Sequence, residues 1–221
     1  MLARSLPNLL GIFRIVTTPL LVWLILLNTA AGYYSAVVLL LVMAISDIAD
    51  GPLARRMGVV SPLGVFLDTI SDKIFVAGAL IPMVEAGLIS GWIALLIIVR
   101  DFAVSGLRSF AAAEGEVISA RQYGKQKLVI TVTALVWCLL AAAFNGPDAV
   151  AFRAAPAYAG LAAVISWLFS LWPVPMFLTI VWTAFSGAEY FWKAWPLLSG
   201  KLAPEARPPA PVAPPRKPAS K

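Results

Sequence analysis

Six apolar runs, each close to the length of a membrane crossing, follow one another along this chain with only short polar breaks between them. A hydrocarbon core of ~30 Å takes about 20 apolar residues per helix. By that ruler the spans fall at 13–30, 33–54, 64–87, 91–112, 127–145 and 158–186. The last is long enough to break near Pro173 and Pro175. Before the first, residues 2–10 read as an amphipathic stub lying on the membrane surface. The expectation is an all-α polytopic membrane protein with six transmembrane helices and an N-terminal surface helix. Composition agrees: 61% of residues are hydrophobic and 13% charged, where soluble domains carry about 45–50% apolar and about 25% charged residues.

Several chemistries are excluded at once. The chain has no histidine, so histidine metal sites and histidine bases are absent. Its one cysteine, Cys138, lies in an apolar run and reads as a buried, inert thiol. Arg4 precedes a hydrophobic stretch, but that stretch is interrupted by Arg14 and continues through Pro19 without a small-residue cleavage pattern, so it reads as an uncleaved entry segment. The net charge of +6 is distributed asymmetrically. The turns at 30–32 and 85–90 hold no lysine or arginine, and the fifth-to-sixth connection holds only Arg153. The opposite side carries Arg4, Arg14, Arg55, Arg56, Arg121, Lys125, Lys127, Lys193 and Lys201, which predicts that both termini are cytoplasmic. No nucleic-acid partner is expected. Residues 1–186 form the membrane domain, and 187–221 a juxtamembrane segment and a proline-rich tail that reads as disordered. No internal repeat of the transporter kind is evident.

Of six aspartates in the chain, four fall within 26 residues, in D-I-A-D-G-P-L-A-R and G-V-F-L-D-T-I-S-D. Asp47, Asp50, Gly51 and Ala54 share one helix face, as do Gly64, Asp68 and Asp72. Residues 56–63 contain Gly58 and Pro62 and should turn the chain, so that an antiparallel hairpin brings the four carboxylates to one depth. Each ionisable group costs at least ~2.5–3.5 kcal/mol at mid-membrane, and like charges together raise one another's pKa unless a cation intervenes. Arg55, Arg56 and Lys73 are the basic residues nearby in sequence, too few to neutralise the set. Hard divalent ions with oxygen ligands, Mg²⁺ or Mn²⁺, are the natural partners. Two such ions suit chemistry at phosphorus. A structural pairing of the aspartates, or a cation-coupled transport pathway, is the alternative.

The pattern D-x2-D-G-x2-A-R-x8-G-x3-D-x3-D is met at every position, and by it the chain resembles the CDP-alcohol phosphatidyltransferases. The resemblance implies six spans, a homodimer, and displacement of CMP from a CDP-linked lipid by an alcohol. Carried over by position, Asp47, Asp50 and Asp68 are metal ligands, and Asp72 serves the second metal and is the general base. Gly51, Ala54, Arg55, Ser61 and Gly64 hold the CDP-diacylglycerol diphosphate. Over residues 5–135, LPNLLGIFRIVTTPLL, IVRDFAVSGLRSFAAAEG and YGKQKLVIT look like the bacterial phosphatidylglycerophosphate synthase branch. One departure is DTISDK, where that branch typically reads DPVADK; the catalytic positions are unaffected.

That branch implies glycerol 3-phosphate as acceptor, and its dianion should seek arginine and lysine. Arg108 is the first candidate, with Arg121, Lys125 and Lys127 beside it. Positive-inside signalling or lipid headgroup contact is the other reading of the last three. Arg100 shares a helix face with Arg108, and Asp101 could pair with either. Serine or an inositol phosphate is the rival acceptor. The transporter is the rival class, and Gly51 with Arg55 argues against it, because ion passage has no use for a diphosphate clamp.

Overall fold

The computed structural model describes residues 2–56, 62–114 and 123–199, and every regular element among them is helical. In chain order these are α1 (Leu2–Leu26), α2 (Ala30–Arg56), α3 (Pro62–Glu85), α4 (Gly91–Ala113) and α5 (Tyr123–Asn145). A 3-10 turn (Pro147–Ala149), α6 (Val150–Ala154), a second 3-10 turn (Pro156–Tyr158), α7 (Ala159–Ser170) and α8 (Pro173–Leu198) follow. The six long helices have 23 to 27 residues, so at ~1.5 Å per residue even the shortest reaches about 35 Å, enough to cross the hydrocarbon core. Stretches in α1, α2, α5 and 156–198 are also apolar enough to cross on composition alone. The remaining two carry charge in mid-helix, Asp68, Asp72 and Lys73 in α3 and Arg100, Asp101 and Arg108 in α4. The protein is an all-α membrane protein.

Two boundaries differ from the sequence expectation. Residues 2–10 are not a separate surface helix but the first turns of α1. Continuity holds because Gly11, where the helix could have broken, is where α1 closes on α3: a Cβ there would sit 3.4 Å from the Leu67 side chain. The sixth run does break, at Leu171 and Trp172, with Pro173 opening α8 where a missing N–H costs nothing. The crossing member is α8, which runs to Leu198 rather than ending at 186. α7 has 12 residues, about 18 Å, too short to span alone. Buried Tyr190 and Ala194 and the Glu189–Lys193 ion pair one turn apart carry α8 onward.

Among the described residues α1 lies against both α2 and α3, most extensively against α3, while α2 and α3 touch each other little. α5 joins α2 to α8, and α4 closes against α3 and α8. Leu21, Ile25, Leu40, Met43, Phe75, Leu80, Met83, Ile97, Leu135 and Leu139 form the fully buried core. The outside is apolar too, with Val16, Ile45, Ile81, Phe102 and Phe177 exposed, as a lipid-facing surface requires. Exposed Trp23, Trp92 and Trp167 lie toward one end, and Trp192 and Trp195 toward the other, like the aromatic girdles at membrane–water boundaries.

Candidate active site

Polar side chains concentrate toward the end of the bundle where α2 finishes and α3 begins. Asp47 lies in the last turns of α2, and Asp72 in the third turn of α3. The two halves of the motif meet through α1. Arg14, 0% exposed, forms an ion pair with Asp47, whose side chain is 15% exposed. One turn earlier on α1, Gly11 rests against Leu67 and Ser71, which immediately precede Asp68 and Asp72 in the sequence. Sequence reading looked for neutralising charge within the motif and missed Arg14, taking it only as a topological signal. The signal was present: it is a lone cation inside the run 13–30.

Asp72 has a different environment. Its side chain is 45% exposed and accepts a hydrogen bond from Lys73 Nζ at 3.3 Å. Lys73 also donates to the Thr69 carbonyl at 2.8 Å. An accessible carboxylate at the edge of the bundle can exchange protons with a bound molecule.

A second polar cluster lies between α4, α5 and α8. Asp101 accepts from the Lys127 ammonium and from Arg100 Nη1 at 3.2 Å. Arg100 also donates from Nη2 to Ser186 Oγ at 2.9 Å and lies over the Tyr190 ring, 6.0 Å from its centroid. Gly187 makes room for this, since a Cβ there would stand 3.1 Å from Arg100 Cγ. Lys127 is buried and comes from α5 to pair with Asp101. Arg108, two turns past Arg100, is exposed and makes no ion pair with another described residue.

Asp50, Gly51, Ala54, Arg55 and Asp68 fall in the helices by backbone, with their side chains outside the described set. The same holds for Lys125, while Gly64 is half-buried in the first turn of α3. Ser61 and Arg121 lie outside the described residues altogether, as does the tail from 200. Among the described residues no three His, Cys, Asp or Glu side chains cluster as a metal set. The two described aspartates of the motif, Asp47 and Asp72, offer only oxygen, the donor type that Mg²⁺ and Mn²⁺ take. The donors fit those ions.

The chain belongs to the CDP-alcohol phosphatidyltransferase family: its family model matches residues 4–172. Among named relatives, a CDP-diacylglycerol–glycerol-3-phosphate 3-phosphatidyltransferase of Bacillus subtilis is 33% identical over 207 residues, covering 88% of this chain and 97% of that protein. Proteins of the same name from Escherichia coli K12 and Rickettsia typhi are 32% identical over 140 residues and 30% identical over 143. They cover 61% and 65% of this chain and 76% and 80% of their own lengths. The family match ends at the start of α8, so Ser186 and Tyr190, the partners of Arg100, lie beyond it.

Proposed function

We propose that this protein transfers the phosphatidyl group of CDP-diacylglycerol to sn-glycerol 3-phosphate, giving phosphatidylglycerophosphate and CMP. The observation that carries the reading is that the family motif holds two carboxylates in unlike settings. Asp47 is paired with the buried Arg14, whereas the Asp72 side chain is 45% exposed and bonded to Lys73. One carboxylate kept compensated and one left open to solvent support a metal ligand and a proton acceptor in the same motif.

Asp47, Asp50, Asp68 and Asp72 would hold two Mg²⁺ or Mn²⁺ ions. When bound, these ions clamp the diphosphate and stabilise the oxygen that departs with CMP. Gly51, Ala54, Arg55, Ser61 and Gly64 bind the diphosphate itself. Lys127 and Arg108, with Arg121 and Lys125, take the acceptor's phosphate, and Asp101 holds the Lys127 ammonium in position. Asp72 accepts the proton of the acceptor hydroxyl. The freed oxygen attacks the phosphorus that bears diacylglycerol, the bond from that phosphorus to the CMP oxygen breaks, and CMP leaves with the electron pair. The protein sits in the cell membrane with both termini and the site cytoplasmic. Its assembly as a homodimer rests on the family resemblance.

An acceptor panel tests this reading. Purified protein with labelled CDP-diacylglycerol and Mg²⁺ or Mn²⁺ should release CMP far faster with glycerol 3-phosphate than with serine, inositol or inositol phosphate. Turnover with one of those and none with glycerol 3-phosphate would reassign the acceptor. Loss of turnover on chelation, restored by either ion, is the expected metal result.

A further inference from the structure

Arg14 is used by none of the steps above, yet among the described residues it is the largest fully buried side chain. It stands twelve residues from the far end of α1, so its Cα lies about 18 Å along the helix from that end. The guanidinium does not reach out to water as arginines near helix ends commonly do; it turns into the bundle and meets Asp47. α1 cannot back away from that position. Gly11 and Gly78 are its points of closest approach to α3, and the Thr18 hydroxyl donates to the Arg14 carbonyl at 2.7 Å. Leu21 and Ile25 of α1 and Ala36 and Leu40 of α2 belong to the apolar core, and a buried ion pair is commonly no more stabilising than an apolar pair of similar volume. Packing alone therefore gives no reason for a cation at this depth. The charge of Asp47 does.

We propose that Arg14 is the resident counter-cation of the carboxylate site, a positioning residue that holds Asp47 oriented and compensated whenever no divalent ion is bound. Arg14 and the metal then do the same electrostatic work on Asp47, one in each state of the site. The proposal rests on the metal reading above for its second half only. The ion pair itself stands without it.

The test is a melting series on the full-length protein in detergent, run in EDTA and again in saturating Mn²⁺. Arg14→Gln leaves Asp47 uncompensated and should lower the EDTA melting temperature by about 5–10 °C, a range scaled from broken buried pairs and discounted because Asp47 is partly exposed. Mn²⁺ should recover most of that loss, so the metal-induced shift becomes larger in Arg14→Gln than in the unaltered protein. Arg14→Lys keeps the charge and should lose little. The double variant Arg14→Gln with Asp47→Asn should melt in EDTA near the unaltered protein, because the orphaned charge is gone. A loss in Arg14→Gln that is the same with and without Mn²⁺, and is not relieved by Asp47→Asn, overturns the proposal and makes Arg14 a packing residue. If Mn²⁺ shifts none of the proteins while Asp47→Asn still rescues Arg14→Gln, the counter-cation stands and the metal reading fails.

Discussion

Asp72 and Lys127 should be separable by kinetics, because one acts on a proton and the other on a phosphate. Asp72→Asn removes the base while leaving the acceptor's phosphate contacts, and should lower kcat about 10²–10⁴-fold with little change in KM for glycerol 3-phosphate. Lys127→Gln removes a charge that the ground state already uses, so KM for the acceptor should rise more than kcat falls. Asp101→Asn should follow Lys127→Gln in kind, since it releases the ammonium it holds. Equal loss of kcat in all three variants, with KM unmoved, would contradict the division of roles. The aspartates were legible in the sequence because charge in an apolar run is costly and their spacing is shared with a family. Their partners were not. Arg14 and Asp47 are 33 positions apart, and helical periodicity says nothing about which face of which neighbour a side chain will meet. Asp101 was open to Arg100 or Arg108. Two turns of helix, about 10.8 Å, put Arg108 out of reach, and Lys127 arrives from α5 instead.

At the scale of elements, the α1–α3 pair fixes the site, and Gly78 is its tightest point. A Cβ on Gly78 would stand 2.2 Å from Thr18 Cγ2, a separation no packed pair tolerates. Small residues at such crossings let membrane helices approach where lipid supplies no hydrophobic drive. Gly78→Ala should therefore separate the helices near Arg14 and destabilise the protein by about 1–3 kcal/mol, the usual range for overpacking. Thr18→Ser removes Cγ2 and keeps the hydroxyl that bonds to the Arg14 carbonyl, so the pair Gly78→Ala with Thr18→Ser should recover most of the loss. A melting comparison of the three variants decides it, and absence of rescue would mean that the strain lies elsewhere. Sequence periodicity delivered the existence of α1 to α5, with the ends of α2 to α5 off by a few residues and the start of α1 displaced, because its first turns were read as a separate surface helix. It failed where tertiary contacts extend a helix, as in α8, whose last turns are held by buried Tyr190 and Ala194. Among the described residues α1 packs against both α2 and α3, a contact that periodicity could not foresee.

For the whole molecule, the arrangement of charge makes a prediction about orientation. The long helices alternate in direction, so Leu26, Ala30, Glu85, Gly91 and Asn145 end or begin at one face of the bundle, and Arg56, Pro62, Ala113, Tyr123 and Leu198 at the other. The first face holds Asp148, which accepts from the Ala30 N–H at 2.9 Å, and Arg153, bonded to the Phe144 carbonyl. A basic residue already engaged there adds little to topology. The second face collects Arg55, Arg56, Lys125, Lys127 and Lys193, which the positive-inside rule assigns to the cytoplasm. A CDP-linked lipid and a soluble phosphorylated acceptor would also meet from that side. Labelling from one side of the membrane tests this directly. The native thiol Cys138 is buried and can be replaced by alanine, leaving a background without cysteine. Glu85→Cys and Glu114→Cys, both at exposed positions, then report the two faces. In intact spheroplasts a membrane-impermeant maleimide should label Glu85→Cys, and should reach Glu114→Cys only after permeabilisation. Labelling of Glu114→Cys in intact cells would put the polar site on the outside, away from any cytoplasmic acceptor, and the proposed orientation would have to be abandoned.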